Sequence, residues 1–204
     1  QSMEIRLVLI RHGMTTANAE RRYIGRRTDP PLSEQGRREL SARRDKGAYP
    51  RVDGVFSGTL LRCTETARLL YPMLVPVAMP ALNEMDFGTF EGKNYDQLKD
   101  APSYRRWVDS AGLIPPPGGE GSREFSARLK GALHSIAEDV RRSQLRSAAV
   151  ITHGGCILQL MDGMEREEGV SRRDTFYQHQ VPCGGGYSLL FDTETLRLRA
   201  PEIL

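Results

Sequence analysis

Two hydrophobic runs of the chain share one ending, in which aliphatic residues lead into a histidine followed by glycine. The first run covers residues 7–10 and precedes His12, and the second covers residues 148–151 and precedes His153. Uninterrupted apolar runs of this length are typical of buried β-strands. Because functional groups of open α/β sheets gather at the carboxyl ends of the strands, we expect both histidines at that edge.

The rest of the pattern alternates predicted strands with predicted helices. Further strands are predicted at residues 53–57, 75–82, 176–181, 187–192 and 196–200. Helices are predicted at residues 34–46, 59–70, 122–142 and 154–164, and short helices within residues 95–110. Loops are predicted at residues 15–31, 83–92 and 113–121. This alternation predicts a three-layer α/β/α sandwich around a largely parallel sheet.

Specific residues mark the ends and faces of these elements. Ser33 is expected to cap the helix that follows it. Pro76 and Pro80 place the segment 75–82 at a sheet edge or in irregular structure. The clearest amphipathic helix is predicted where apolar residues recur at intervals of three or four, at Phe125, Leu129, Leu133, Ile136 and Val140.

Length and composition fit one domain of ordinary hydrophobic content. The chain has 204 residues, of which 39% are hydrophobic and 27% charged. We expect a single domain over residues 3–204, with residues 1–2 a cloning remnant. The sequence has no apolar run of about 18 residues, so no membrane partner is expected. Three widely spaced cysteines fit neither a disulfide framework nor a zinc site and indicate a reducing, cytoplasmic location.

Positive charge is concentrated near the first histidine. Residues 1–46 contain 11 Lys and Arg against 6 Asp and Glu, although the net charge of the whole chain is only +3. The arginine pairs at residues 21–22 and 26–27 lie just past His12, where they could attract an anion or could simply be solvated. A nucleic-acid partner is not expected, because no aromatic-interleaved basic stripe accompanies the charge.

These residue types suit transfer of a phosphoryl group to a histidine. A neutral imidazole such as that of His12 is a competent nucleophile. The transferring group needs convergent cations and hydrogen-bond donors, which Arg11, Arg62 and His153 could supply, with an amide from Asn18. Backbone at Gly13, Gly154 and Gly155 could approach the anion closely.

The departing alkoxide would also need a proton. Glu84 is the first candidate, since it stands in a glycine-punctuated loop that could bring its carboxyl group over the site. Asp86 and Glu91 in the same loop compete with it on position alone. Each residue also has a structural interpretation: a hydrogen-bonded histidine, a surface cation or a solvated acid. The hydrophobic pattern alone does not bring His12, His153, Arg62 and Glu84 together.

Several motifs in one order along residues 7–155 resemble the histidine phosphatase superfamily, the phosphoglycerate-mutase-like proteins. They are Arg11-His12-Gly13 with Thr15, Asn18 and Gly25, then Ser57 with Arg62, then Glu84 with Phe87-Gly88, and Thr152-His153-Gly154-Gly155. The resemblance implies a phosphoglycerate-mutase-like fold, a phosphorylated His12 and no metal or organic cofactor. It implies that Arg11, Arg62 and His153 hold the phosphoryl group and that Glu84 donates the proton. It implies substrate binding by Gly13, Thr15, Asn18, Gly25 and Gly154.

A further motif narrows the resemblance within the family. Residues 117–120, Pro-Gly-Gly-Glu, followed by Arg128 resemble the α-ribazole phosphatases and related broad-specificity phosphatases. The first hypothesis is therefore hydrolysis of a small phosphorylated metabolite, with α-ribazole 5′-phosphate as one candidate. A phosphoglycerate mutase is the alternative, although the compact interval from Glu84 to His153 favours hydrolysis. A non-catalytic module that binds a phosphorylated ligand is the alternative from another class.

Some features of the sequence depart from the family motifs or have more than one interpretation. Met14 stands where the family commonly has Glu, and Gly58-Thr59 replaces the usual Asp-Leu. Residues 93–121 are expected to form a cap, in which Trp107 could contact substrate or belong to the core. The strand-rich C-terminus could serve as the edge of a homodimer.

Overall fold

The computed structural model describes residues 3–167 and 181–204. The strands in these residues are β1 (Glu4–Arg11), β2 (Gly54–Ser57), β3 (Val77–Ala78), β4 (Ser147–Thr152), β5 (Gly186–Asp192) and β6 (Leu198–Ile203). The α-helices are α1 (Thr16–Ala19), α2 (Glu34–Asp45), α3 (Leu61–Leu70), α4 (Tyr95–Leu98), α5 (Pro102–Asp109), α6 (Ser122–Ser143) and α7 (Gly154–Glu167). Short 3₁₀ helices span Pro80–Leu82 and Gly88–Phe90. The strand predicted at residues 176–181 lies almost wholly outside the described residues.

The strands form one sheet in the order β3-β2-β4-β1-β5-β6. Neighbouring strands from β3 to β1 are parallel, whereas β5 pairs antiparallel with β1 and with β6. Parallel neighbours need crossover connections, and helices in the chain supply them. The largely parallel sheet predicted from the alternating pattern is confirmed.

Two hydrophobic cores lie on opposite faces of this sheet. Successive side chains of a strand point to opposite faces, so Leu7 and Leu9 of β1 enter one core while Val8 and Ile10 enter the other. The first core also contains the buried faces of α6 and α7, and the second those of α2 and α3. A strand covered on both sides needs no polar alternation, which explains the unbroken apolar run that ends at His12.

The capping and periodicity predictions for two helices are confirmed. The Ser33 hydroxyl accepts a hydrogen bond from the amide of Gly36 at 3.0 Å and caps α2. In α6 the predicted apolar positions are all buried: Phe125, Leu129, Leu133, Ile136 and Val140. Burial of this stripe fixes α6 against the sheet beside the loop that carries Glu84.

One segment differs from its prediction, and a second follows the expectation set by its prolines. The predicted loop at residues 15–31 contains α1, which is too short to produce a helical period in the sequence. Only Val77–Ala78 of the predicted strand at 75–82 joins the sheet, at its edge, because Pro80 begins a 3₁₀ turn.

An aromatic cluster forms around α5, within the segment predicted as a cap. The Trp107 ring lies with its centroid between 5.5 and 6.1 Å from those of Tyr23, Phe87, Phe90 and Tyr104. Trp107 therefore packs in a local hydrophobic core. In the part of the chain that the structure describes, no helix is both long and apolar enough to span a bilayer.

Candidate active site

The two histidines follow neighbouring parallel strands, and the strand register brings them side by side. Arg11 at the end of β1 lies opposite Thr152 at the end of β4. The next residue of each chain segment is a histidine, and the rings of His12 and His153 lie with their centroids 5.1 Å apart. Both side chains are buried. The structure therefore joins the two predicted strand ends into one site.

His12 has a defined tautomer. Its Nδ1 lies 2.7 Å from the carbonyl oxygen of Gly13, which accepts only, so Nδ1 carries the proton and donates. The lone pair is then on Nε2. Burial, together with the charges of Arg62 and Arg11, lowers the pKa of His12 to about 3. The ring is neutral at physiological pH, as a nucleophilic imidazole must be.

His153 is held against a buried thiol. Its Nε2 lies 3.4 Å from Sγ of Cys63 in α3, and burial raises the pKa of that thiol. Burial, followed by the neighbouring His12 ring and the charges of Arg62 and Arg11, lowers the pKa of His153 well below its usual value. His153 is therefore also neutral at physiological pH.

Arg62 is a buried cation whose guanidinium group is anchored by backbone. Only 1% of the residue is exposed. Its Nη1 donates to the carbonyl of Thr28 at 2.8 Å, and its Nη2 donates to the carbonyl of Gly25 at 3.0 Å. Burial lowers the pKa of Arg62, and surrounding acids partly offset that effect. The two carbonyl bonds fix the plane of the guanidinium group, as bidentate recognition of an oxyanion requires.

Arg11 adds a second cation beside the histidines. Its Nη1 donates to the carbonyl of Val181 at 2.8 Å. Its Nε is buried and has no hydrogen-bond partner among the residues that the structure describes. Buried donors are costly unless bonded, so an oxyanion that accepted a bond from this group would be stabilised.

Glu84 is 8% exposed, and its carboxyl group contacts the first turn of α7, which directly follows His153. Its Oε1 accepts from the amide of Met85 and its Oε2 from the amide of Gly155, both at 3.0 Å. Burial raises the pKa of Glu84 above its usual value, although these two amides and the charges of Arg11 and Arg62 oppose the shift. A raised pKa favours the protonated form that a general acid needs.

The two competing acids have structural partners instead. Asp86 accepts bonds from Nε of Arg27 at 2.6 Å and from the amide of Gly88 at 2.9 Å. These partners lower the pKa of Asp86 against the effect of its burial. Glu91 accepts three bonds from the loop at residues 25–28. These partners hold both carboxyl groups against the loop at residues 25–28, whereas the carboxyl group of Glu84 contacts the start of α7 after His153.

Arg128 braces the loop that carries Glu84, a contact that the sequence pattern did not reveal. From α6 it donates to the carbonyls of Ala81 and Asn83, each at 2.8 Å, and to both carboxylate oxygens of Glu120 at 2.8 and 3.0 Å. In the sequence, Arg128 is singled out by the resemblance of residues 117–120 with Arg128 to the α-ribazole phosphatases. The two residues of the phosphatase-like motif therefore support the acid loop.

The two departures from the family pattern have local explanations. The side chain of Asn83 bonds the amide and hydroxyl of Thr59, so Gly58-Thr59 fastens the chain beside Glu84. At Met14 the backbone carbonyl accepts from the amide and hydroxyl of Ser33. This contact uses main chain and does not depend on a glutamate side chain.

The residues predicted to bind substrate have mixed positions. The amide of Gly13 donates to Thr66 Oγ1 at 3.0 Å, and Thr15 is buried in a β-bridge to Leu32. The amide of Gly25 donates to Glu91. These contacts hold the backbone around the site in place. A role in direct binding stays a prediction for them and for Gly154, the first residue of α7. The side chain of Asn18 lies outside the described part of the structure.

Part of the arginine excess is used within the protein. Arg27 pairs with Asp86 at 2.6 Å, and Arg22 pairs with Glu20 at 2.6 Å while donating to the carbonyl of Gly92. These residues brace the loops around the site. An anion-attracting role for the arginine pairs at 21–22 and 26–27 stays a prediction.

The fold and the pairing of strand-end histidines place the chain among the phosphoglycerate-mutase-like α/β proteins. The family model of the histidine phosphatase superfamily (branch 1) matches residues 7–182, and the chain belongs to this superfamily. A 2,3-bisphosphoglycerate-dependent phosphoglycerate mutase of Rhizobium etli is 33% identical over 178 residues, covering 78% of this chain and 80% of the relative.

Similar solved structures include a phosphatase and a mutase. The α-ribazole phosphatase of Shigella flexneri superposes with a TM-score of 0.78 at 27% identity, covering 97% of this chain and 96% of that one. A phosphoglycerate mutase of Thermus thermophilus superposes with a TM-score of 0.69 at 30% identity, covering 98% and 99%. Relatives of this chain thus include phosphatases and mutases.

Proposed function

We propose that this chain is a phosphomonoester hydrolase that works through a phosphohistidine at His12. The observation that carries the proposal is the neutral, buried His12, whose Nδ1 is fixed by Gly13 and whose neighbours are two guanidinium groups and a buried acid. This set supplies a nucleophile, charge stabilisation and a proton source, which are the requirements of phosphoryl transfer.

In the first step, the lone pair on Nε2 of His12 attacks phosphorus, and the bond from phosphorus to the ester oxygen breaks. Arg11, Arg62 and His153 stabilise the charge on the non-bridging oxygens. Protonated Glu84 gives its proton to the departing alkoxide, so an alcohol leaves. The Gly13 carbonyl stabilises the ring as its Nε2 takes up the phosphoryl group.

In the second step, Glu84 acts as a carboxylate. It takes a proton from water as the water oxygen attacks phosphorus and the bond from phosphorus to Nε2 breaks. The products are inorganic phosphate, neutral His12 and protonated Glu84, which restores the starting state. One carboxyl group thus serves as acid and base because its pKa is raised by burial.

Phosphoglycerate mutase activity is the second candidate, and the names of the sequence relatives favour it. A mutase must hold an acceptor hydroxyl and keep water from the phosphohistidine. Two observations support hydrolysis here: the compact interval between Glu84 and His153, and the likeness to the Shigella flexneri α-ribazole phosphatase. A module that only binds ligand is disfavoured by the complete set of reactive groups.

The substrate is proposed to be a small phosphorylated metabolite, with α-ribazole 5′-phosphate as the specific candidate. Support comes from the solved relative of that name and from the motif formed by Glu120 and Arg128. Because those two residues brace the acid loop, the motif supports the branch of the family and gives no direct contact to a ribazole ring.

The test is phosphate release from a panel of phosphomonoesters that includes α-ribazole 5′-phosphate, sugar phosphates and nucleotides. We expect release without added 2,3-bisphosphoglycerate and its loss in His12→Ala. Turnover of 3-phosphoglycerate to its isomer with negligible phosphate release would instead establish a mutase. A His12→Ala protein that binds phosphate and matches an inactive wild type would indicate a binding module.

A further inference from the structure

We propose that Glu91 is a positioning residue that holds Arg62 in place through the loop at residues 25–28. The inference rests on the proposed function in one respect, which is that Arg62 binds a phosphoryl group. Glu91 lies in the acid-bearing loop, but its carboxyl group faces the segment that carries the two carbonyl partners of Arg62.

One carboxylate oxygen of Glu91 gathers three donors of this loop. Oε1 accepts from the amide of Gly25 at 2.8 Å, from the amide of Arg27 at 3.2 Å and from the hydroxyl of Thr28 at 2.9 Å. Hydrogen bonds to an ionised acceptor are stronger than neutral ones. Glu91 therefore fixes both ends of a four-residue loop that forms no regular structure.

The same loop residues hold the guanidinium group from their other side. The carbonyls of Gly25 and Thr28 accept from Arg62 at 3.0 and 2.8 Å. Gly25 and Thr28 thus each bond Glu91 through a donor and Arg62 through an acceptor. A shift of the loop would move both carbonyls together, and the guanidinium plane would turn with them.

The packing around Gly25 shows how closely this loop is seated. A Cβ at position 25 would lie 2.1 Å from the carbonyl oxygen of Met85 and 2.8 Å from Oε2 of Glu91. The amide of Arg26 also donates to the carbonyl of Met85 at 3.2 Å, which joins the loop to the residue after Glu84. Glu91 therefore belongs to a brace that links the cation and the acid of the site.

The experiment is a double-mutant cycle in which inorganic phosphate binding is measured by titration calorimetry at neutral pH. Arg62→Ala should weaken binding at least about tenfold, since it removes charged hydrogen bonds. Glu91→Ala should weaken it by about tenfold, since misplacement by about 1 Å already impairs such sites. Added to Arg62→Ala, Glu91→Ala should cost less than about twofold, because its effect acts through Arg62.

Conservative variants separate positioning from general damage. Glu91→Gln keeps an acceptor oxygen for the loop and should stay within about threefold of wild-type affinity. Thr28→Val removes one donor and should fall between wild type and Glu91→Ala. Both remain informative if Glu91→Ala fails to fold. Glu124→Ala, at an exposed glutamate in the first turn of α6, is the matched control and should bind like wild type.

The inference would be overturned if Glu91→Ala bound phosphate with wild-type affinity, or if Glu91→Ala lost the same fold of phosphate affinity whether or not Arg62 was present. It would also be overturned if Glu91→Gln and Glu91→Ala lost equal phosphate affinity. A wild type that binds no phosphate would also overturn it. Failure of the hydrolase proposal is recognised separately. It would appear as absent phosphate release by the wild type, while the phosphate-binding cycle still gave its answer.

Discussion

Replacement of Gly155 by alanine should displace the carboxyl group of Glu84, the proposed proton donor, without disturbing the fold. A Cβ at position 155 would lie 2.4 Å from Oε1 and 2.9 Å from Oε2 of Glu84. Ordinary contacts begin near 3.4 Å, so the carboxyl group must retreat by about 1 Å. Because the nearest atoms all belong to the end of the Glu84 side chain, the helix backbone can stay where it is.

The expected cost follows from the role of Glu84. General acid–base catalysis contributes about 10² to 10⁴-fold, and a misplacement of about 1 Å can remove about 10²-fold. We expect Gly155→Ala to lower kcat/KM by about 10²-fold on an alkyl phosphomonoester, because kcat/KM reports formation of the phosphohistidine. With para-nitrophenyl phosphate, whose leaving group needs little protonation, the loss of kcat/KM should be at least about tenfold smaller.

The assay is steady-state phosphate release with both substrates, accompanied by urea unfolding. The matched control is Gly163→Ala on the same helix, where a Cβ would meet nothing within 4 Å. That variant should gain up to about 1 kcal/mol of stability and keep its kcat. If Gly155→Ala folds normally and turns over the alkyl ester within about twofold of wild type, the assignment of Glu84 as proton donor is refuted.

Arg128→Met should lower the free energy of unfolding by about 3–5 kcal/mol, because it leaves buried Glu120 without its ion pair. Exposed Arg142→Met on the same helix should cost less than about 1 kcal/mol in the same urea titration. Acidification below the ordinary histidine pKa of 6.5 should destabilise the protein. The unfolded chain binds a proton at His12 in that range, whereas folded His12, with its pKa lowered to about 3, does not. Urea titrations between about pH 7 and pH 5 should give wild type a steeper loss than His12→Asn, and parallel slopes would contradict the neutral histidine.

The sequence predicts much of the site because strand ends and strand burial leave clear signals. The apolar run before His12 is unbroken since β1 is covered on both faces, and the same holds for β4 before His153. Parallel pairing in register then brings the two rings together. The family motifs add Arg62 and Glu84, which no hydrophobic period relates to the histidines.

The supporting contacts could not be predicted, because they depend on how irregular loops cross helices. Position in the loop at residues 83–92 does not by itself separate its three acids, and the family motif is what selects Glu84. The partners that hold Asp86 and Glu91 elsewhere appear only in the fold. The bonds from Arg128 to backbone carbonyls could not be predicted from residue types, because every residue has a backbone carbonyl. The thiol of Cys63 against His153 likewise follows from the packing of α3 on the sheet.

The most direct test of the central claim is to trap the covalent intermediate. Wild-type protein mixed with a phosphomonoester and quenched in alkali should carry one acid-labile phosphoryl group, which peptide mass spectrometry should locate on His12. The group should be absent from His12→Ala. With para-nitrophenyl phosphate it should accumulate in Gly155→Ala, because a displaced Glu84 activates water poorly. Turnover by the wild type with no phosphohistidine, or with the label on another residue, would contradict the account.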